Sequence, residues 1–392
     1  MNIHSKAVHA GDRKPQGKHI PVTTPIYTAS SFVYEDIDTT DKVFAHEVEG
    51  YAYARYDNPT NHALEELCTA LEGGYGSLAC STGMAALEIA ITTALIDRRK
   101  KIVAANALYG ATINLLTKVM EPFGIETTFV DICDLEKVAA VIGEEKPGAV
   151  LMETISNPLL RVGPIDEIAR LCEAAGACLI VDSTFATPLL VRPLELGANL
   201  VVHSLTKYLA GHGDVMGGLV VSDQTHYEGL RTLSRTYGPT LGPFEAYLAM
   251  RGIKTFPLRM ERQCGNAVAV AAFLRQHPRV AKVNYLNDPA HPDATTIQRL
   301  LPNDLHGAMI SFELKDAGRD EVFAFMNKLR MVVKATSLGD VHTMMLYPAM
   351  ASHRDLSPKQ RERLGIRDSL VRLSVGIEDP ADICADLNQA LT

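Results

Sequence analysis

Between residues 77 and 204 the chain alternates strand-like runs with amphipathic stretches, and this alternation most restricts what it can fold into. "SLACST" (77–82) leads into "GMAALEIAITTALI", and "KIVAA" (101–105) into "YGATINLLTKVMEPFG". "IETTFVD" (125–131) precedes "DLEKVAAVIGE", and "AVLMET" (149–154) precedes "IDEIARLCEAAG". "ACLIVDS" (177–183) and "ANLVVHS" (198–204) complete the series. A strand that is apolar on both faces must be covered on both, and helices recurring between such strands supply the cover. The pattern predicts an α/β fold with a mainly parallel sheet. After "GGLVVS" (217–222) it changes to a long helical stretch, followed by "HGAMISFEL" (306–314), "MVVKATSL" (331–338) and "SLVRLSVGI" (369–377). That reads as a smaller α+β domain. Residues 1–50 show little periodicity, so we expect an extended N-terminal arm, a large domain over 51–245 and a smaller C-terminal domain over 246–392.

Bulk properties narrow the function. With 392 residues the chain is long enough for two domains, and 47% apolar with 21% charged residues is ordinary for a globular protein. A net charge of −8 argues against non-specific binding to nucleic acid or to an anionic membrane. No apolar run is long enough to span a bilayer, and the first residues, "MNIHSKAVHAGDRKPQGKHIPVTTP", lack the apolar core of a signal peptide. Seven scattered cysteines without a C-x-x-C read as reduced thiols, which points to the cytoplasm.

Ligands of open parallel sheets gather beyond the carboxyl ends of the strands. Four such ends carry chemistry here. Ser81-Thr82-Gly83 closes one strand and opens a helix, which is either a plain N-cap or a phosphate cradle of free backbone N–H groups. Asp182 ends "LIVD"; it can cap a loop, bind a cation or hold a protonated ring nitrogen. In "HSLTKYLAGHGDVMGG" (203–218), Ser204 and Thr206 can donate to a phosphate and Lys207 can condense with a carbonyl, against the ordinary reading of a solvated lysine. Tyr109, in "LYG", either stacks on a planar ligand or belongs to the core. Together these offer what pyridoxal 5′-phosphate needs: an amine for its aldehyde, a carboxylate for its pyridinium and donors for its phosphate.

Other motifs are poor. In "GYGSLA" (74–79) the glycines precede a strand instead of following one, so a dinucleotide site is a weak reading. His203 and His212 flank Lys207 without the spacing of a metal site, and no metal is expected.

The same residues resemble, over nearly the whole chain, the fold type I, pyridoxal-phosphate-dependent enzymes of trans-sulfuration (cysteine and methionine metabolism). The resemblance runs through "PVTTPIYTASSF", "YARYDNPT" (53–60), "STGMAAL" (81–87), "VDSTFATP" (181–188), "HSLTKYLAGHGDVMGG", "RGIKT" (251–255), "SLGD" (337–340) and "VRLSVGIED" (371–379). It implies that Lys207 forms the Schiff base and that Asp182 keeps the pyridine nitrogen protonated. Tyr109 would stack on the ring. Gly83 and Met84 amides, with Ser204 and Thr206, would hold the phosphate. Tyr53 and Arg55 would reach the cofactor of a neighbouring subunit, and Tyr53 its substrate, in a homodimer or homotetramer. Arg372 would pair with the substrate's α-carboxylate beside Asn157 and Ser337. Lys207 would move the Cα and Cβ protons and Tyr109 would protonate the leaving group. Without the resemblance, Tyr53 and Arg55 read as a surface pair and Arg372 as an internal ion pair.

Two positions depart from the family's patterns. Ala111 follows "LYG" where methionine γ-lyases of the well-known bacterial type carry cysteine. "SLGDVHT" (337–343) has Asp340 and His342 where cystathionine enzymes commonly have Gly and Glu, which places a histidine near the expected distal end of the substrate. The reading that follows is a carbon–sulfur lyase performing γ-elimination on a sulfur amino acid. The alternatives are a γ-replacement enzyme (cystathionine γ-synthase or O-acylhomoserine sulfhydrylase) and a catalytically weak member kept for binding.

Overall fold

Seven strands form the larger sheet: β1 (Gly76–Cys80), β2 (Lys101–Ala105), β3 (Glu126–Val130), β4 (Ala149–Glu153), β5 (Cys178–Asp182), β6 (Leu200–Ser204) and β7 (Gly218–Ser222). The computed structural model describes residues 1–15, 18–45, 47–302, 304–351, 354 and 358–392. The spatial order is β1-β7-β6-β5-β4-β2-β3, and only β7 runs against its neighbours. The reason lies in the connection. Residues 205–217 carry the lysine and a run of glycines and contain no helix, so the chain turns back on itself and pairs antiparallel instead of crossing over. The strands of the sheet's centre are apolar on both faces, and β4 and β7 are buried along their whole length.

A second sheet of five strands follows: β8 (Val280–Asn284), β9 (Met309–Leu314), β10 (Val333–Lys334), β11 (Met344–Leu346) and β12 (Leu370–Ser374), in the order β10-β11-β12-β9-β8. The two cores meet in the long helix Phe256–Gln276. Its first half gives Phe256, Met260 and Cys264 to the core of the larger sheet, and its second half gives Val270, Ala271 and Leu274 to that of the smaller one. Residue 246, expected to open the smaller domain, falls inside the helix Pro243–Ile253. Ala246, Ala249, Met250 and Ile253 of that helix pack in the first core, so the handover comes a helix later than the change in sequence pattern suggests. The N-terminal arm is not wholly extended. Helices Ile3–His9 and Ile37–Phe44 interrupt it, each started by a side-chain cap (Asn2 on His4, Asp36 on Thr39) that a search for hydrophobic periodicity overlooks.

Close packing of the strand ends is built on glycine. A Cβ on Gly218 at the start of β7 would lie 2.1 Å from the Thr82 carbonyl oxygen, and one on Gly83 would lie 3.1 Å from the Ser204 Cβ. The helix Gly83–Ala94 therefore begins directly against the end of β6. Gly218→Ala is expected to cost about 1–3 kcal/mol, because the obstacle is main chain and cannot rotate away. A urea denaturation midpoint equal to that of the unchanged protein would contradict this packing.

Candidate active site

The ends of β4, β5 and β6 and the start of the helix Gly83–Ala94 surround a cavity of about 510 Å³. Thr82, Gly83, Met84, Tyr109, Glu153, Asn157, Asp182, Thr184, Ser204, Thr206, Lys207 and Arg372 contribute to its wall, with Phe185, Met216, Leu338 and Leu346 as apolar surface. The cavity thus joins the larger sheet to β12 and to the segment before β11.

Each lining group has a local reason for its position. Thr82 caps the helix by accepting from the Ala85 N–H at 3.0 Å, and its carbonyl accepts from Ala86 at 3.0 Å. The N-cap reading is therefore correct, and it is compatible with the other one. Capping of this kind leaves the first amides, those of Gly83 and Met84, without intrahelical acceptors, at the positive end of the helix dipole. Thr206 Oγ1 accepts from the Gly217 N–H at 3.1 Å and closes the glycine-rich loop. Asp182 Oδ1 accepts from the Thr184 N–H at 2.9 Å, and the Thr184 hydroxyl accepts from the Ser204 N–H at 3.0 Å, so the turn after β5 is tied to the end of β6.

Electrostatics sharpen the picture. Burial pushes the Asp182 carboxyl above its ordinary pKa, although bonds from Thr184 and the nearby His203 oppose the shift. Burial, and then the Arg372 charge, push the Lys207 ammonium down, which favours the neutral, nucleophilic amine. Lys207 Nζ donates to Ser337 Oγ at 2.9 Å. Arg372 is 2% exposed and lies in β12. It donates to Asn157 Oδ1 at 3.0 Å and to the Ser337 carbonyl at 3.1 Å, while its Nε has no partner. Burial brings its pKa down to about 10, a sign of a cation short of counter-charge.

The structure brings Lys207, Asp182, Tyr109, Gly83, Met84, Ser204, Thr206, Asn157, Ser337 and Arg372 together around this cavity. Tyr53 and Arg55 stand elsewhere. Arg55 packs over the rings of Tyr53 and Tyr56, at 5.6 Å and 4.8 Å, and donates to the Arg235 carbonyl. Ala111 and His342 are also absent from the wall. His342, with 63% of its side chain exposed, is bonded to Asp340 Oδ1 at 2.9 Å, so within one chain it does not face the substrate space. His203 pairs with Glu72 at 2.5 Å in the protein interior. Sequence reasoning missed Glu153 and Thr184. Glu153 had a visible signal: "LMET" ends in an acid as "LIVD" does, and the register pairs Glu153 with Asp182.

The residues fit pyridoxal 5′-phosphate. A half-buried carboxylate with no ion-pair partner among the described residues, an amine whose pKa is pushed down and a helix start packed close on the Ser204 hydroxyl are the complement of a pyridinium, an aldehyde and a phosphate. Fold and cavity together define a pyridoxal-phosphate-dependent enzyme acting on an amino acid. More narrowly, the chain belongs to the family of Cys/Met metabolism PLP-dependent enzymes, whose model matches residues 4–392. It is 40% identical to an L-methionine gamma-lyase of Fusobacterium nucleatum over 99% of this chain and 98% of that protein. A cystathionine gamma-lyase of Bacillus subtilis is likewise 40% identical, over 94% of both chains. Among solved structures, a cystathionine gamma synthase from Xanthomonas oryzae pv. oryzae, in complex with aminoacrylate and cysteine, superposes with a TM-score of 0.92. It is 34% identical and covers 100% of this chain and 98% of its own.

The raised Asp182 pKa carries a stability consequence. Its folded-state value lies above the unfolded one, so ionised Asp182 costs nothing below the unfolded pKa and costs progressively more as pH rises through the folded one. Asp182→Asn keeps an acceptor for Thr184 and removes the charge. In the cofactor-free protein it is expected to raise the melting temperature by a few degrees near neutral pH, with the gain shrinking as pH is lowered. Added pyridoxal 5′-phosphate should then stabilise the natural protein more than the variant. Calorimetry showing a lower-melting apo variant at every pH would contradict the assignment of strain to this carboxylate.

Proposed function

We propose that this enzyme eliminates the γ-substituent of a sulfur amino acid (L-methionine, L-cystathionine or L-homocysteine), consuming one water and giving a 2-oxo acid, ammonia and a thiol. The observation that carries this reading is a single cavity holding Lys207, Arg372, Asp182 and Tyr109 against an apolar wall of Phe185, Met216, Leu338 and Leu346, suited to a thioether. The similarity to two γ-lyases over almost the full chain supports it.

When bound, pyridoxal 5′-phosphate supplies an electron sink conjugated with the substrate's α-carbon. Asp182 would hold the proton of its ring nitrogen. The amides of Gly83 and Met84, with Ser204 and Thr206, would hold its phosphate, and Tyr109 would stack on its ring. Arg372 presents a planar fork to the substrate's α-carboxylate, which gives the unpartnered Nε an acceptor, and Asn157 and Ser337 keep that fork in place. Lys207, whose ammonium is shifted toward easier deprotonation, would take the proton at Cα, pass it to the bound cofactor and, free again as a base, take one at Cβ. Tyr109 donates its hydroxyl proton to the departing sulfur. Tyr53 and Arg55, distant from their own cavity, complete that of a neighbouring copy, so the working unit is a homo-oligomer, a dimer or a dimer of dimers. Among the described residues no helix is long and apolar enough to cross a membrane, and all seven cysteines are free thiols, which supports a cytoplasmic location.

Replacement of the γ-substituent by an incoming thiol is the second reading, supported by the likeness to a γ-synthase structure along the whole chain. Release of 2-oxo acid separates the two. We expect L-methionine, L-cystathionine or L-homocysteine to release it without added thiol. Reaction of O-acyl-L-homoserines alone, diverted to cystathionine by L-cysteine, would make the enzyme a synthase.

Two variants test the machinery. Lys207→Ala is expected to lower turnover by about 100-fold or more while the protein stays folded, and an active variant would remove the lysine from the mechanism. Arg55→Ala should weaken cofactor affinity without unfolding the subunit. An unchanged pyridoxal 5′-phosphate titration would exclude the shared site.

A further inference from the structure

Glu153 belongs to none of the roles above, although it lines the same cavity. It ends β4 directly opposite Asp182 in the parallel register, and burial, then that second acid, push its carboxyl well above the usual carboxylate range. No basic side chain forms an ion pair with it among the described residues. Its two oxygens are nonetheless both used. Oε1 accepts from the Tyr109 N–H at 2.6 Å and Oε2 accepts from the Asn157 N–H at 3.2 Å. Asn157 in turn holds Arg372 through Oδ1 at 3.0 Å. Arg372 donates to the Ser337 carbonyl, and the Ser337 hydroxyl accepts from Lys207.

A carboxyl group is the only side chain here that can accept a main-chain N–H on each of two equivalent oxygens; glutamine offers one acceptor and one donor amide. An acid kept in a buried place beside another acid has to be favoured by something. The two amide bonds oppose the upward shift in part, and they join the loop after β2 to the loop after β4. On its other side Glu153 borders a separate cavity of about 120 Å³, to which Asp131, Cys133, Ser156 and Arg161 also contribute. Arg161 is already committed to Asp293, at 2.7 Å and 2.9 Å, so it does not neutralise Glu153.

We infer that Glu153 is a positioning residue: its carboxyl sets the height of Tyr109 and, through Asn157, the aim of Arg372, so that the ring over the cofactor and the clamp for the substrate carboxylate are placed by one group. The inference rests on the roles proposed above for Tyr109 and Arg372. A purely structural tie between two loops would affect stability alone. A positioning tie makes the effect of Glu153 depend on whether Tyr109 and Arg372 are there to be positioned.

The test is a double-mutant cycle on the holoenzyme, with 2-oxo acid release from its best sulfur amino acid as the assay. Glu153→Gln is combined with Tyr109→Ala and with Arg372→Lys. Alone, E153Q is expected to lower kcat/KM by about 10- to 100-fold, with a raised KM and an altered visible circular dichroism of the bound cofactor. In either second background the same substitution should cost no more than about 3-fold. An equal loss in all three backgrounds, or a change in melting temperature alone, overturns the inference. Should Y109A and R372K themselves leave kcat/KM intact, the proposed function fails instead, and the two failures are told apart. If E153Q does not fold, Glu153→Asp enters the same cycle; it keeps both acceptors and shortens their reach by one methylene.

Discussion

The site is organised by charges that the protein buries without fully neutralising. Asp182 and Arg372 both line the cavity, yet each is left short of a counter-charge: the carboxyl is driven up by burial and the guanidinium driven down to about 10. Isolated buried charges of this kind are expensive, and a stability-optimised core would replace them. Their survival is intelligible if ligands complete them. A ring nitrogen that carries a proton answers the first, and an α-carboxylate answers the second. The lowered Lys207 pKa comes first from burial and then from Arg372, which sits near enough to oppose a second positive charge.

Topology makes that arrangement available. Adjacent strands β4, β5 and β6 end side by side in parallel, which aligns Glu153, Asp182 and Ser204 along one sheet edge. The glycine-rich return into β7 then brings Lys207 back over that edge, and Gly218 and Gly83 let the helix start press against it. Arg372 and Ser337 come from the other sheet and its approach. The hydrogen-bond path from Lys207 through Ser337, Arg372, Asn157 and Glu153 to Tyr109 therefore crosses from one core to the other and back. The long helix shared by both cores holds the two halves of that path in fixed relation.

How much of this was legible in the sequence depends on the kind of signal. The α/β alternation gave the larger sheet because its strands are apolar on both faces, a pattern that needs no tertiary information. Asp182 stood out because a polar group that closes an apolar run is conspicuous, and Lys207 because it lies between hydroxyls and a run of glycines. Glu153 was passed over although it closes a run in the same way, since nothing in one dimension shows that its two oxygens reach amides of two different loops. The helices of the N-terminal arm escaped because their start is fixed by caps on Asn2 and Asp36 and not by periodicity. His342 shows how local bonds set what one dimension leaves open: its place in "SLGDVHT" puts it near the expected distal end of the substrate, and within one chain the bond to Asp340 keeps it exposed and off the cavity wall.

The distribution of these groups also explains why one scaffold can serve both elimination and replacement. In the roles proposed for them, Asp182, Lys207, Arg372 and the helix start would act on the cofactor and on the α-carbon end of the substrate, which is common to every amino acid of this class. None of them reads the γ-substituent. That task would fall to the apolar wall of Phe185, Met216, Leu338 and Leu346, which offers a thioether no directional bond and so would tolerate several. Discrimination between such substrates by apolar contact is worth only about 1–3 kcal/mol per methylene. On the proposed reading, the sharper choice, water or thiol as the final acceptor, would then be set by which of them reaches the cavity past Tyr109, 42% exposed, and past the Tyr53 and Arg55 that a neighbouring copy would bring.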